Sequence, residues 1–372
     1  MKIMFVFDRV AHYHIPLFRS LKKRLEDDGH SLLLLSGKEK LNATGRVSEK
    51  NRVLENENKY EVYEMNINNY TLRYGKGVLG KIRAQKPDIV VIPSHVGNVL
   101  HWMIQSLAKK KGYKIISWQC GYEYNKSIIK DAILKIFLKR FDYHLAYHSN
   151  AKKYCVSLGV PDNRVTIMHN TIDETHIVLT DRFTAKKYLF EKYPMIKNRK
   201  IMLYVGAILK EKKIELILNS LSLMKRKDSA FVAVGDGPHL SKLKERFVNR
   251  NDVIFAGRVV DEVGYYFDAA DIFVLPGTGG LALNEAMYHG LPIISGYADG
   301  SADDLVIHGK NGYRISEYSA EELVGYISNI LEDDDLRERM GKESARMITC
   351  LFSFKKFINT VCSVLNQNDI GK

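Results

Sequence analysis

The chain has 372 residues, is 45% hydrophobic and 27% charged, and has only 8 prolines; this excludes collagen-like and intrinsically disordered classes and predicts two domains at roughly 150 residues each. Its formal charge of +13 is uneven, with 36 basic against 19 acidic residues through Lys200 and 20 against 24 after it, so the first half suits nucleic acid, an anionic membrane surface or an anionic substrate. No apolar run approaches the roughly 18 residues of a membrane span, Asp8 and Arg9 break the apolar start that a signal peptide would continue, and Cys120, Cys155, Cys350 and Cys362 are spaced neither for zinc nor for a disulfide framework, which points to a reducing cytosol.

In chain order, Ile3 to Phe7, a helical pattern from Pro16 to Asp27 and Ser31 to Leu35 predict a βαβ opening. Gly37 to Tyr60 is polar and reads as a long loop. Further strands are predicted at Val62 to Ile67, Asp88 to Ile92, Lys114 to Trp118, His144 to Tyr147 and Val165 to Met168, with helices between several of them. This alternation argues for a parallel sheet covered on both faces. Tyr193 to Lys200 reads as a connector. A second series follows, with strands at Ile201 to Val205, Ala230 to Val234, Val253 to Phe255, Ile272 to Leu275 and Pro292 to Ser295. The acidic run Glu332 to Asp335 reads as a solvated turn.

The most informative stretch runs from Leu275 through Pro276, Gly277, Thr278, Gly279, Gly280, Leu281, Ala282, Leu283, Asn284 and Glu285 to Met287, followed by His289-Gly290-Leu291-Pro292. It sets a glycine-rich turn between an apolar strand and a helix, where the backbone can approach a ligand and the first helical amides suit a diphosphate. Glu285, about a turn and a half into that helix, is placed to accept hydrogen bonds from two neighbouring hydroxyls, as in a ribose. A tight strand-to-helix turn with a surface glutamate accounts for the same residues equally well.

Pro276 to Pro292 resembles the donor-binding segment of glycosyltransferase family 4, retaining glycosyltransferases of the GT-B fold. That pattern has two glutamates eight residues apart; Glu285 matches the second, which holds the ribose, and Gly277 stands at the first, which lies near the donor sugar. Tyr204 to Lys212 resembles the opening of the family's C-terminal domain, where an arginine directly after the glycine and a lysine six residues after it clamp the donor diphosphate. Gly206 and Lys212 match, and Ala207 replaces the arginine. Lys210, Lys212 and Lys213 can also be read as solvating a loop. Gly235-Asp236-Gly237-Pro238 resembles the family's next glycine turn, Val253 to Arg258 the strand whose following backbone contacts the nucleobase, and Gly300 to Gly312 the loop after the donor site, with Asp304 where glutamate is usual. Gly159 to Asp173 resembles the segment leading into the linker. The likeness covers most of Asp88 to Phe354.

The resemblance implies an α/β GT-B fold of two tandem Rossmann-like domains with parallel sheets facing a central cleft. Residues 1–190 form an acceptor domain, 191–352 a nucleotide-sugar domain, and 353–372 a C-terminal helix returning toward the first. It implies donor contacts at Gly206, Lys212, Gly235, Gly237, Arg258, Thr278, Gly279, Gly280, Leu281, Ala282 and Glu285, with UDP the favoured nucleotide and no metal or other cofactor. His95 falls where the family often has a histidine facing the donor sugar, and it reads either so or as an ordinary loop histidine. His12-Tyr13-His14 resembles a histidine-tyrosine-arginine motif of one branch, with His14 for the arginine. With Trp118 and Glu123 it is assigned to the acceptor side, although Trp118 reads equally well as core. Lys212 and His95 are the catalytic candidates. A GT-B sugar-nucleotide epimerase and a binding protein that has lost catalysis remain alternatives. An NAD dehydrogenase is disfavoured because no GxGxxG follows the first strand.

Ser127 to Phe141 has helical periodicity, with Ile128, Ile129, Ala132, Ile133, Ile136 and Phe137 on the arc expected to face the core. The opposite arc holds Lys130, Leu134, Lys135, Leu138 and Lys139, either a solvated face or one that lies against anionic lipid headgroups. Basic residues interleaved with stacking aromatics are absent, which disfavours nucleic acid.

Overall fold

The computed structural model describes residues 1–10, 13–38, 53–67, 70–119, 128–226, 228–296 and 300–366. The chain divides into two compact units, Met1–His169 with the segment from Lys355, and Asn170–Phe354.

The first unit runs β1 (Lys2–Phe7), α1 (His14–Asp27), β2 (Ser31–Gly37), β3 (Asn58–Tyr60), β4 (Val62–Ile67), β5 (Tyr70–Gly75), α2 (Val78–Gln85), β6 (Ile89–Pro93), α3 (Val99–Lys111), β7 (Lys114–Gln119), α4 (Ile128–Leu138), β8 (Tyr143–Ala146), α5 (Ser149–Ser157) and β9 (Val165–Ile167). Seven of these strands form one parallel sheet in the order β3-β2-β1-β6-β7-β8-β9. Its central strands are apolar throughout because both faces are covered: Ile3 to Val6 and Val90 to Ile92 are completely buried. β4 is not part of that sheet, contrary to the sequence expectation. It pairs antiparallel with β5 as a separate arm, with Glu64 opposite Arg73 and their side chains 2.8 Å apart. Such alternation of polar and apolar side chains suits a two-stranded ribbon better than a strand covered on both faces.

In the second unit, α6 (Arg182–Lys192) precedes β10 (Lys200–Val205), α7 (Ile214–Leu223), β11 (Ser229–Val234), α8 (Leu240–Arg246), β12 (Val253–Gly257), α9 (Val263–Ala269), β13 (Ile272–Leu275), α10 (Ala282–Tyr288), β14 (Ile293–Ser295), α11 (Ala302–Leu305), β15 (Gly312–Arg314), α12 (Ala320–Glu332) and α13 (Asp334–Leu351), while α14 (Phe354–Leu365) belongs to the first unit from Lys355 on. The sheet order β12-β11-β10-β13-β14-β15 is that of a dinucleotide-binding fold, in which ligands gather beyond the carboxyl ends of the strands. This unit starts at Asn170, earlier than the boundary expected at 190/191, and α6 belongs to it: Ala185 and Leu189 share one core with β10, and α6 packs on α9. The buried Asp271 carboxylate ties the parts together, accepting from the Ile201 amide and pairing with Arg182 and Lys186. The acidic run opens α13: Asp333 caps it by accepting from the Leu336 amide, and Asp334 pairs with Lys200.

One expectation about the helices is corrected, that for α4. By length and composition, Asp334–Leu365 is apolar enough to cross a membrane. It is broken at Phe352 and Ser353 into α13 and α14, which bury Met340, Met347 and Ile348 in one unit and Phe357, Val361 and Leu365 in the other, as core helices do. α4 is turned the other way from the expected orientation. Leu134, Phe137 and Leu138 are buried, whereas Ile128, Ile129, Ile133 and Ile136 are exposed. Both arcs of this helix are apolar, and large aromatic contacts decide between them: Phe137 packs 4.8 Å from Trp102 and 5.3 Å from Phe141.

Candidate functional site

The C-terminal ends of β10, β11 and β13 carry the glycine-rich turns. After β11, Gly235 has φ +141°, and a Cβ there would lie 1.9 Å from the Gly206 carbonyl oxygen at the end of β10. Only glycine lets these turns nest. A second interlock joins the loop after β10 to the loop after β13. A Cβ at Gly277 would meet the Glu211 carbonyl oxygen at 2.1 Å, and the Thr278 amide donates to that oxygen at 3.1 Å. The close approach explains a departure noted in the sequence: a glutamate at 277 has no room against residues 211 and 212 unless the loop moves.

Because the two loops touch, Lys212 reaches the glycine turn. Its side chain is 7% exposed, and its Nζ donates to the Thr278 carbonyl at 2.7 Å and to the Gly279 carbonyl at 3.5 Å. The reading of Lys212 as a solvated loop lysine is therefore corrected. Thr278, Gly279, Leu281 and Ala282 are partly exposed and Gly280 is exposed, leaving the turn open to a ligand. Gly237 packs under the loop after β10, where a Cβ would lie 2.4 Å from the Ile208 carbonyl oxygen. Arg258 is exposed, directly after β12. The Tyr204 hydroxyl donates to the Ala207 carbonyl at 2.8 Å, so a buried phenol backs the place where the related pattern has arginine.

Glu285 lies on α10, which follows this turn, and its carboxylate makes no hydrogen bond or salt bridge among the described residues. Burial raises its pKa above the ordinary value, and His289, one turn later, opposes that shift. His289 is itself held, with Nδ1 2.5 Å from Asp268 and its ring stacked 5.0 Å from Phe267. A part-buried carboxylate with unused acceptor capacity suits two ligand hydroxyls. Sequence reasoning missed Asn284, whose buried amide donates to the Asn170 carbonyl at 3.4 Å and the Thr171 hydroxyl at 3.3 Å, anchoring α10 to the start of its unit. Its place between Leu283 and Glu285 was the available signal.

In the first unit, His95 is exposed just beyond β6, stacked 6.3 Å from His101. The loop it sits on is held from below. Asp8, at the end of β1, accepts from the Tyr60 hydroxyl at 3.0 Å and from Asn98 Nδ2 at 2.6 Å, and Asn98 lies 3.2 Å from His101 Nε2. Burial lowers the His101 pKa to about 4, so this imidazole is neutral at pH 7. The network escaped sequence reasoning because Asp8, Tyr60 and the Asn98–His101 start of α3 come from three separate segments. Tyr13 is exposed at the start of α1, and His14 packs 6.3 Å from Phe7. Trp118 is a core residue, 2% exposed, with Nε1 donating to the Tyr147 hydroxyl at 2.6 Å. His12 and Glu123 lie outside the described residues. Among those described, no group of three His, Cys, Asp or Glu side chains is placed to hold a metal.

Residues 186–347 match the family model of the glycosyl transferases group 1. The matched stretch lies wholly within the second unit. The chain is 28% identical over 248 residues to an uncharacterized glycosyltransferase of Methanocaldococcus jannaschii, covering 64% of this chain and 60% of that protein. It is 26% identical over 176 residues to a capsular polysaccharide biosynthesis glycosyltransferase of Staphylococcus aureus, covering 44% and 46%. The chain thus matches only about half of these relatives' lengths. The crystal structure of Anabaena HepE in complex with UDP-glucose superposes with a TM-score of 0.73 at 14% identity, covering 98% of this chain and 99% of that one. At that identity the likeness concerns the fold, an α/β chain with two parallel sheets like those of the GT-B glycosyltransferases.

Proposed function

We propose that this chain is a retaining glycosyltransferase that moves a hexose from a UDP-sugar to a saccharide or lipid-linked saccharide, on the cytosolic side, in the assembly of a surface polysaccharide. The observation that carries the reading is the Lys212 ammonium seated on the carbonyls of the turn that leads to Glu285, which is unpaired among the described residues. Support comes from the match of residues 186–347 to the group 1 glycosyl transferases, from the UDP-glucose held by HepE, and from the capsular role named for the relative from S. aureus.

In this reading Glu285 accepts both ribose hydroxyls, Arg258 and the backbone beyond β12 flank the base, and the turns at Gly206, Gly235 and Gly237 with Thr278 to Ala282 receive the diphosphate. The bond between the anomeric carbon and the diphosphate oxygen breaks as the acceptor oxygen bonds to that carbon from the same face. The acceptor's proton passes to the departing phosphate oxygen. Lys212 exchanges the Thr278 carbonyl for this oxygen as its charge grows, so its contribution is largest in the transition state. His95 remains the catalytic candidate of the first unit, and no metal is required.

Incubation with a panel of UDP-, GDP-, ADP- and CMP-sugars, followed for sugar release, tests the proposal. Slow hydrolysis of a UDP-sugar that Lys212→Ala abolishes is expected. Tight binding without turnover of any donor would instead favour a nucleotide-sugar-binding protein, a reading to which the absence of a carboxylate at Gly277 lends weight.

A further inference from the structure

Four isoleucines on one short helix face water. On α4, Ile128 is 91% exposed, Ile129 73%, Ile136 59% and Ile133 45%. At 100° per residue they share a single arc with the exposed Ala132, while Leu134, Phe137 and Leu138 occupy the buried side. Scattered exposed apolar residues are ordinary, but a contiguous stripe of large ones marks an interaction surface. β-branched residues are also mediocre helix formers, so helix propensity does not explain them.

The rim of the stripe is cationic. Lys135 and Lys139 are exposed along one edge, and Arg140 closes the helix, its guanidinium 5.8 Å from the Trp102 ring and donating to the Ser106 hydroxyl at 2.8 Å. These contacts join α4 to the outer side of α3, which ends in the exposed Lys109, Lys110 and Lys111. The one acidic residue of α4, Asp131, accepts from the buried Tyr154 hydroxyl at 2.8 Å, away from the stripe.

We propose that this face of α4 lies flat on an anionic phospholipid surface, with the isoleucines entering the headgroup boundary and the surrounding cations meeting lipid phosphates. The pattern of an apolar stripe bounded by lysine and arginine is the one that interfacial helices need. A second copy of the chain fits less well, because a face-to-face pair sets two cationic rims against each other. The sequence had suggested Leu134 and Leu138 for insertion; both are buried, and the isoleucines replace them in that role. The inference stands apart from the donor site, which belongs to the other unit.

Vesicle flotation of the full chain tests it, with phosphatidylglycerol mixed into phosphatidylcholine against phosphatidylcholine alone. Binding is expected only to the anionic vesicles and should weaken several-fold when salt shortens the Debye length to about 3 Å. The triple variant Ile129→Ser, Ile133→Ser, Ile136→Ser should lose binding by roughly tenfold or more even at low salt, while its thermal midpoint stays that of the wild type, since the replaced side chains are exposed. Lys135→Glu with Lys139→Glu should lose binding with the isoleucines intact. An Ile133→Trp variant should show blue-shifted emission on anionic vesicles. Wild-type protein that fails to float, or serine variants that float as well as wild type, would overturn the proposal. So would a concentration-dependent dimer that the serine variants abolish, which would assign the stripe to self-association.

Discussion

Glu285 is a part-buried carboxylate held at a cost to the fold. Its pKa is raised by burial, so the folded state disfavours the ionised carboxylate relative to the unfolded chain. The sign follows from linkage: between the unfolded and the raised folded value the native protein binds more protons, so stability falls as pH rises through that window and stays lower above it. Replacing Glu285 with Gln removes this deficit. Thermal midpoints of the two proteins should converge near pH 4 and separate by pH 7, with the variant the more stable. A variant less stable at pH 7 would mean that the carboxylate has a favourable partner within the protein. Lys212 and Gly277 make a contrasting pair. The lysine could be picked out only because its place six residues after Gly206 matches the pattern the segment resembles, whereas the reason for glycine at 277 lies in the backbone of residues 211 and 212, which no reading of the local sequence brings near.

At the scale of elements, strands buried on both faces were legible because continuous apolar runs such as Ile89 to Ile92 and Ile272 to Leu275 fit little else of that length. The short strands β3 (Asn-Lys-Tyr) and β15 (Gly-Tyr-Arg) were not, since neither has the apolar run that marks the equally short β14. β5 was missed because Arg73 and Thr71 interrupt its apolar character and its partner β4 had been placed in the sheet. α4 failed for a different reason: Leu134, Phe137 and Leu138 are as apolar as the isoleucines opposite, so periodicity alone could not choose its inner face. Its orientation is open to a direct comparison. Leu138→Ala should cost about 2–5 kcal/mol through the cavity it leaves, whereas Ile136→Ser should change stability by about 0.5 kcal/mol or less. Chemical denaturation of both variants reads this, and equal losses would contradict the placement of the helix.

The whole molecule consists of two units of similar architecture with opposite charge, and each was recognisable from its own strand and helix series. The junction was harder to read. α6 is polar enough to pass for the end of the first domain, and only its packing on α9 assigns it to the second, while Lys355 onward returns to the first unit, with Phe357 6.1 Å from the Trp118 ring. The C-terminal unit carries the account's central claim, that the turn from Thr278 to Ala282, Lys212 and Glu285 form a nucleoside diphosphate site. Calorimetric titration of UDP into the wild-type protein and into Glu285→Ala tests it most directly. Saturable binding by the wild type and an affinity lower by about 1.5–3 kcal/mol in the variant are expected, the worth of hydrogen bonds to a charged acceptor. Equal affinity in a folded variant, or no binding of any nucleoside diphosphate by the wild type, would contradict it.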